Sequence, residues 1–90
     1  MNWNQLHYVL TIAQEKNITK AAQKLYLSQP SLSMSLKTLE EELGVEIFQR
    51  KKGVLELTYA GELFCHWAED SLRSKQILSD QLSDISSNAR

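Results

Sequence analysis

Four serines and a glutamine crowd one short stretch, Ser28-Gln29-Pro30-Ser31-Leu32-Ser33-Met34-Ser35. Hydroxyls and a side-chain amide donate and accept hydrogen bonds, and phosphate oxygens and base edges are partners suited to them. From Ser28 to Leu39 there is no acidic residue; then Glu40, Glu41 and Glu42 follow together. Three carboxylates at a helix C-terminus oppose its dipole and repel phosphate. The N-terminal half, where the dipole adds positive potential, is therefore the expected reading surface. The plain alternative is a surface helix solvated by its serines. Serine is a mediocre helix former, so four so close together favour another use.

Other chemistry finds little support. Cys65 and His66 are adjacent and project from neighbouring helix positions, so neither a nucleophile–base pair nor a chelate is expected. His7 has no second ligand one turn on. There is no glycine-rich phosphate loop, paired carboxylate or triad pattern. The chain is not expected to be an enzyme, and no cofactor or metal is implied.

The elements that must position the serine-rich stretch follow from periodicity. Ala21, Ala22 and Leu25 share one helical face, with Asn17 placed to cap it. The run breaks at Tyr26–Ser28, in a turn without glycine. Ser28 offers a second cap, and Pro30 fits a first helical turn. Leu32, Leu36, Leu39 and Leu43 then form a single apolar stripe, and Gly44 suits a left-handed stop. Ala22 allows close approach and Leu32 is placed to bury itself in the crossing. That favours a helix-turn-helix over a plain helical hairpin. Opposite the stripe lie Pro30, Met34, Lys37 and Glu41. Before it, Trp3 to Glu15 reads as an amphipathic helix with Leu6, Val9, Leu10 and Ala13 on one face, backing the other two in a three-helix core.

After Gly44 the pattern turns β-like. Val45, Ile47 and Phe48 begin one strand, Gln49 to Gly53 makes a basic hairpin tip, and Val54, Leu55 and Leu57 return. A hairpin directly after a helix-turn-helix is a wing. Thr58 caps a last helix with Glu62 in its first turn. Phe64, Ala68, Ser71, Lys75, Leu78, Leu82 and Ile85 follow a heptad alternation, a seam for a partner helix, with Leu63, Trp67, Leu72 and Ile77 on adjacent faces. The other possibility is a helix folded back on its own core, but one this long exceeds what so small a core covers. Ser79 to Arg90 reads as polar and linker-like. Residues 1–58 are thus expected to form one domain and residues 59–90 a dimerising linker helix.

Ninety residues with 42% hydrophobic content suffice for one modest core and make disorder a poor description. A single cysteine excludes an internal disulfide and suits a reducing compartment. No signal peptide or membrane-spanning run is present, so a cytoplasmic protein without membrane contact is expected. The net charge of −1 does not advertise nucleic-acid binding, but its distribution does: residues 1–59 hold seven Lys/Arg against six Asp/Glu, and residues 60–90 three against five. The bases cluster at Lys16, Lys20 and Lys24, at Lys37, and at Arg50-Lys51-Lys52. So few phosphate-neutralising groups point to two copies acting together.

Several motifs then coincide in order and spacing: Ala21-Ala22-x-x-Leu25-x-x-Ser28-Gln29-Pro30-Ser31-Leu32-Ser33, Leu39-Glu40-x-x-Leu43-Gly44, Ile47-Phe48-x-Arg50 and Leu57-Thr58-x-x-Gly61. Together they resemble the LysR-type transcriptional regulators over nearly all of residues 3–90. The resemblance implies a mainly α, winged helix-turn-helix domain with a two-stranded β wing, followed by a dimerising linker helix. It implies double-stranded DNA and a second copy of the chain as partners. A small-molecule effector would act only through a C-terminal domain absent from this sequence. By position, Gln29, Pro30, Ser31 and Ser33, after the capping Ser28, would start the recognition helix in the major groove, with Lys37 further along. Thr19 and Lys20 would touch phosphate. Arg50, Lys51 and Lys52 would reach the flanking groove, and Thr58 would hold phosphate besides capping its helix. Met34 departs from the family, which usually places a polar or basic residue there; its apolar side chain suits a thymine methyl. The rival class is a winged helix serving as a protein–protein module, for which the near-neutral charge speaks; a third is a non-specific architectural protein.

Overall fold

Each of the first three helices begins where a short polar side chain closes its open end. In the computed structural model, which describes residues 1–88, α1 spans Trp3–Glu15, α2 Ile18–Lys24 and α3 Gln29–Leu43. Asn2 Oδ1 accepts from the Gln5 N–H at 2.9 Å, and Gln5 Oε1 accepts from the Asn2 N–H at 3.0 Å. Asn17 Oδ1 takes the Lys20 N–H at 2.8 Å, and Ser28 Oγ takes the Ser31 N–H at 3.2 Å. Each cap satisfies a backbone donor that the helix itself leaves open, worth about 1 kcal/mol. Gly44, at φ 73°, ends α3 in the left-handed conformation.

The turn between α2 and α3 closes as a glycine turn does, without glycine. Tyr26 takes φ 58°. Its N–H donates to the Gln23 carbonyl at 3.2 Å, and the Leu27 N–H donates to the Ala22 carbonyl at 2.9 Å. These are the paired bonds of a Schellman stop. A side chain in this conformation costs roughly 1–2 kcal/mol, and the two satisfied carbonyls offset it.

The core differs from the expected one on α1. Leu6, Val9 and Ile12 are buried, whereas Leu10 and Ala13 are only half-buried. The reason is that α1 does not merely back the other two helices: it is the central helix, touching α2, α3 and α4. Its apolar surface is therefore wider than one stripe, and Ile12 closes it. Ala21 and Ala22 of α2 are buried, as are Leu32 and Leu39 of α3. Leu36 is half-buried and Leu43, at the helix end, is exposed.

The wing is a two-stranded antiparallel hairpin, β1 Phe48–Lys51 and β2 Val54–Leu57, in the register Phe48↔Leu57, Gln49↔Glu56, Arg50↔Leu55, Lys51↔Val54. Its tip is shorter than the expected Gln49–Gly53. Only Lys52 and Gly53 turn, at φ 53° and 77°, the two positive values that match the twist of a two-residue hairpin. Gln49, Arg50 and Lys51 belong to the ladder. Val45 is exposed and lies outside the strand, as does the buried Ile47. Ile47 is anchored by Glu40, whose Oε2 accepts from the Ile47 N–H at 2.7 Å and the Phe48 N–H at 3.4 Å. One member of the acidic trio thus fastens the wing to α3. Glu40→Ala leaves a charge-assisted pair of part-buried donors without their acceptor. The expected loss is about 1–3 kcal/mol in a denaturant titration, against under about 0.5 kcal/mol for Glu41→Ala on the exposed face.

The last helix, α4, spans Tyr59–Asn88. Ser79–Asn88 is helical, not linker-like, and residues 89–90 lie outside the described residues. Phe64 and Ala68, expected on a partner seam, are instead buried in this chain's own core, together with Gly61 and Cys65. Leu72 packs against the same core, and the Lys75 ammonium stands 5.2 Å over the Trp3 ring. The first turns of α4 therefore belong to the winged domain. The expected division at residue 58 separates elements that are packed together.

Candidate nucleic-acid interface

The N-terminal half of α3 stands out from the domain with its polar groups already arranged. Leu32 and Leu39 turn inward with no more than 1% exposure, and Met34, on the opposite side, is 62% exposed. Pro30, Ser31, Lys37 and Thr38 are exposed around it, and Ser33 and Ser35 are half-buried on the flanks. Ser28 Oγ–H donates to Ser31 Oγ at 2.8 Å, and Gln29 Nε2 donates to Ser33 Oγ at 2.8 Å. Ser28 is thereby occupied with its cap. Gln29 keeps its amide oxygen and one N–H, and Ser31 and Ser33 keep their hydroxyl protons, all aimed from a fixed frame. Preorganised donors lose less freedom when they meet a partner.

The cations surround this surface. Lys16, Thr19, Gln29, Arg50 and Gly53 line one shallow cleft where the start of α2, the start of α3 and the wing meet. The structure so brings together Thr19, Gln29 and Arg50, three residues distant in sequence, and adds Lys16, which the motif reading left out. Lys16 ends α1 at φ 55°; its place four residues before Lys20 in the basic cluster is the signal the sequence offers. Lys24, the third of that series, pairs with Glu15 at 3.2 Å instead. Among the described residues no carboxylate lies within ion-pair distance of Lys20, Lys37, Arg50, Lys51 or Lys52. Arg50 shares the ladder face of Phe48, while Lys51 projects from the other face, so the wing's basic residues diverge, with Lys52 at the tip. Thr58 serves the fold: its hydroxyl donates to the Glu46 and Ile47 carbonyls and accepts the Gly61 N–H at 2.9 Å. No hydroxyl proton remains for phosphate.

Two of the acidic trio are turned to other work. Glu40 holds the wing, and Glu42 meets the Met1 ammonium at 2.9 Å. Cys65 is buried, its thiol pushed up to about 11 by burial and, secondarily, by the Glu69 charge, so it is a protonated core residue at neutral pH. Among the described residues no group of His, Cys, Asp and Glu is arranged to hold a metal ion.

Three helices around α1, a steep turn into an outward α3 and a hairpin beside it define a winged helix-turn-helix. Residues 3–62 match the bacterial regulatory helix-turn-helix protein, lysR family. The chain belongs to that family and carries its DNA-binding domain. It is 52% identical over 73 residues to the HTH-type transcriptional regulator BsdA of Bacillus subtilis (strain 168), covering 80% of this chain and 25% of that protein. Among solved structures it is similar to the BenM DBD in complex with catB site 1 DNA, at 31% identity and a TM-score of 0.93, covering 100% of this chain and 97% of that one. It is also similar to full-length CbnR complexed with its target DNA, at 32% identity and a TM-score of 0.84, covering 92% of this chain and 29% of that one. The chain spans about a quarter of the length of the curated relatives it matches.

Proposed function

We propose that this chain recognises a specific operator in double-stranded DNA as a homodimer, as the N-terminal part of a longer transcription regulator. The observation that carries the proposal is the acid-free, unpaired half of α3, with Lys16, Lys20 and Arg50 around it. Gln29, Ser31, Ser33 and Met34 read base edges in the major groove, and Lys37 follows the same groove. Thr19 and Lys20 hold one phosphate strand, and Arg50 and Lys52 hold the flank beside the wing.

A second copy completes the site. Leu63, Trp67, Leu78 and Ile85 of α4 are about half exposed or more, and lie within an arc of about 60° at 100° per residue. That arc stands roughly 90° round from Phe64 and Ala68, so the pairing face keeps Leu78, Leu82 and Ile85 of the heptad but has Leu63 and Trp67 in place of the buried Phe64 and Ala68. Ser71 and Lys75 fall between this face and α1. Two paired α4 helices hold two recognition helices on one side of the duplex, facing the halves of an inverted repeat. The relatives' greater length supports a longer chain after residue 90; an effector-binding domain there would place the regulator under a small molecule in the cytoplasm. Among the described residues no helix is long and apolar enough to cross a membrane.

Selection of bound DNA from a random library, followed by titration of the winning sequence against salt, tests the proposal. Affinity is expected to fall steeply with salt, and Lys20→Ala or Lys52→Ala each to reduce the slope by about two, one phosphate contact per protomer. A shallow slope without sequence preference would mean a protein–protein module. A steep slope with full competition by mixed DNA would mean an architectural protein.

A further inference from the structure

We infer that Met34, with Pro30 one turn before it, forms an apolar ridge that reads thymine 5-methyl groups in the operator half-site. The inference rests on the DNA-binding reading above and gives it a base. Met34 is 62% exposed in the middle of the outward face, and it is not among the residues packed against the core. Pro30 is exposed on the same face, while Ser31, Lys37 and Thr38 around them are polar. The other exposed large apolar side chains gather mostly on α4 and at the start of α1, where the proposed dimer covers them. Met34 lies apart from that face, so self-pairing leaves it uncovered.

Its chemistry limits what it can read. A thioether has no donor and is a weak acceptor, so it cannot engage the two acceptors of guanine or the acceptor–donor pair of adenine. The major-groove edge offers one apolar group, the C5 methyl of thymine. Methionine, unbranched and polarisable, adapts to such a contact. The Gln29–Ser33 hydrogen bond of 2.8 Å holds the polar readers on one flank and leaves the centre of the face to Pro30 and Met34.

The test removes only the methyl. Operators are selected from a random library with the wild-type chain, and each thymine of the winning sequence is then replaced singly by deoxyuridine. Wild type is expected to bind about four-fold more weakly at one or two positions per half-site, the equivalent of about 0.8 kcal/mol for one buried carbon. At those positions Met34→Ala should show little sensitivity, and Met34→Leu should restore it; both are surface changes, checked for unaltered helicity. Tolerance of deoxyuridine at every position, or undiminished sensitivity in Met34→Ala, overturns the inference while DNA recognition stands. Failure of the wild type to select any sequence overturns both.

Discussion

Gly61→Ala is expected to cost about 3 kcal/mol or more, and to lower the melting temperature by more than about 10 °C. Helix propensity alone gives the opposite sign, since alanine exceeds glycine by about 1 kcal/mol in a helix interior. Packing decides. A Cβ on Gly61 would lie 2.1 Å from the Ile47 carbonyl oxygen, 3.0 Å from its carbon and 3.0 Å from Leu57 Cδ2. The leucine methyl can rotate away, but the carbonyl cannot. It accepts the Thr58 N–H at 3.0 Å and the Thr58 hydroxyl at 3.2 Å, while the Ile47 N–H is held by Glu40 at 2.7 Å. Making room breaks this net, which joins α3, the approach to the wing and the start of α4. Arg50 then loses its fixed position, and DNA affinity falls with stability. Calorimetry of the variant checks the sign: a higher melting temperature would mean that α4 does not approach Ile47 this closely.

Much of this arrangement is legible in the sequence because it is local. Asn17, Ser28 and Gly44 act on backbone groups within a few residues, and α2 begins, and α3 begins and ends, where those residues say. Leu32, Leu36 and Leu39 of α3 turn toward the core because only one helical face can hold them. What is not legible depends on which surface an element meets. Phe64 and Ala68 keep the same spacing whether α4 packs on a partner or on α1, so the heptad pattern had no means of choosing. Ile12 is buried because α1 has neighbours on more than one side, which no single-stripe reading of α1 anticipates. Glu40 reads as one of three solvated acids until the chain returns at Ile47, seven residues on, to use it. Tyr26 adopts a glycine-like turn because the carbonyls of Ala22 and Gln23 need partners, and composition gives no sign of that. Of the interface, the hydroxyls of α3 were visible in the chain order, whereas the cleft of Lys16, Thr19 and Arg50 exists only once α2 and the wing are folded together.

Leu78→Asp is expected to leave the winged domain folded and to weaken operator binding by about 10²–10⁴-fold. A 30-residue helix extends about 45 Å, and the core covers only its first turns, from Gly61 to Leu72. Beyond them Ile77, Leu78, Leu82 and Ile85 are 53–64% exposed, and a helix this unsupported is marginal in water without a packing partner. A carboxylate at Leu78 must be buried, unpaired, in an apolar twofold seam, so association fails. Each protomer keeps its recognition helix, and binding to an isolated half-site should stay within about two-fold of wild type. The lost factor is the effective concentration that pairing supplies to the second half-site. Trp67→Ala should act in the same direction. Phe64→Ala, one helical position pair away, should instead lower the melting temperature by removing a core ring, at a cost of about 3–5 kcal/mol. Sedimentation read beside thermal melting separates the two faces of α4. Should Trp67→Ala sediment as the wild type does while Phe64→Ala dissociates without melting lower, the partner seam runs through Phe64 and Ala68 rather than through Trp67, and these two side chains do not belong to the core around α1.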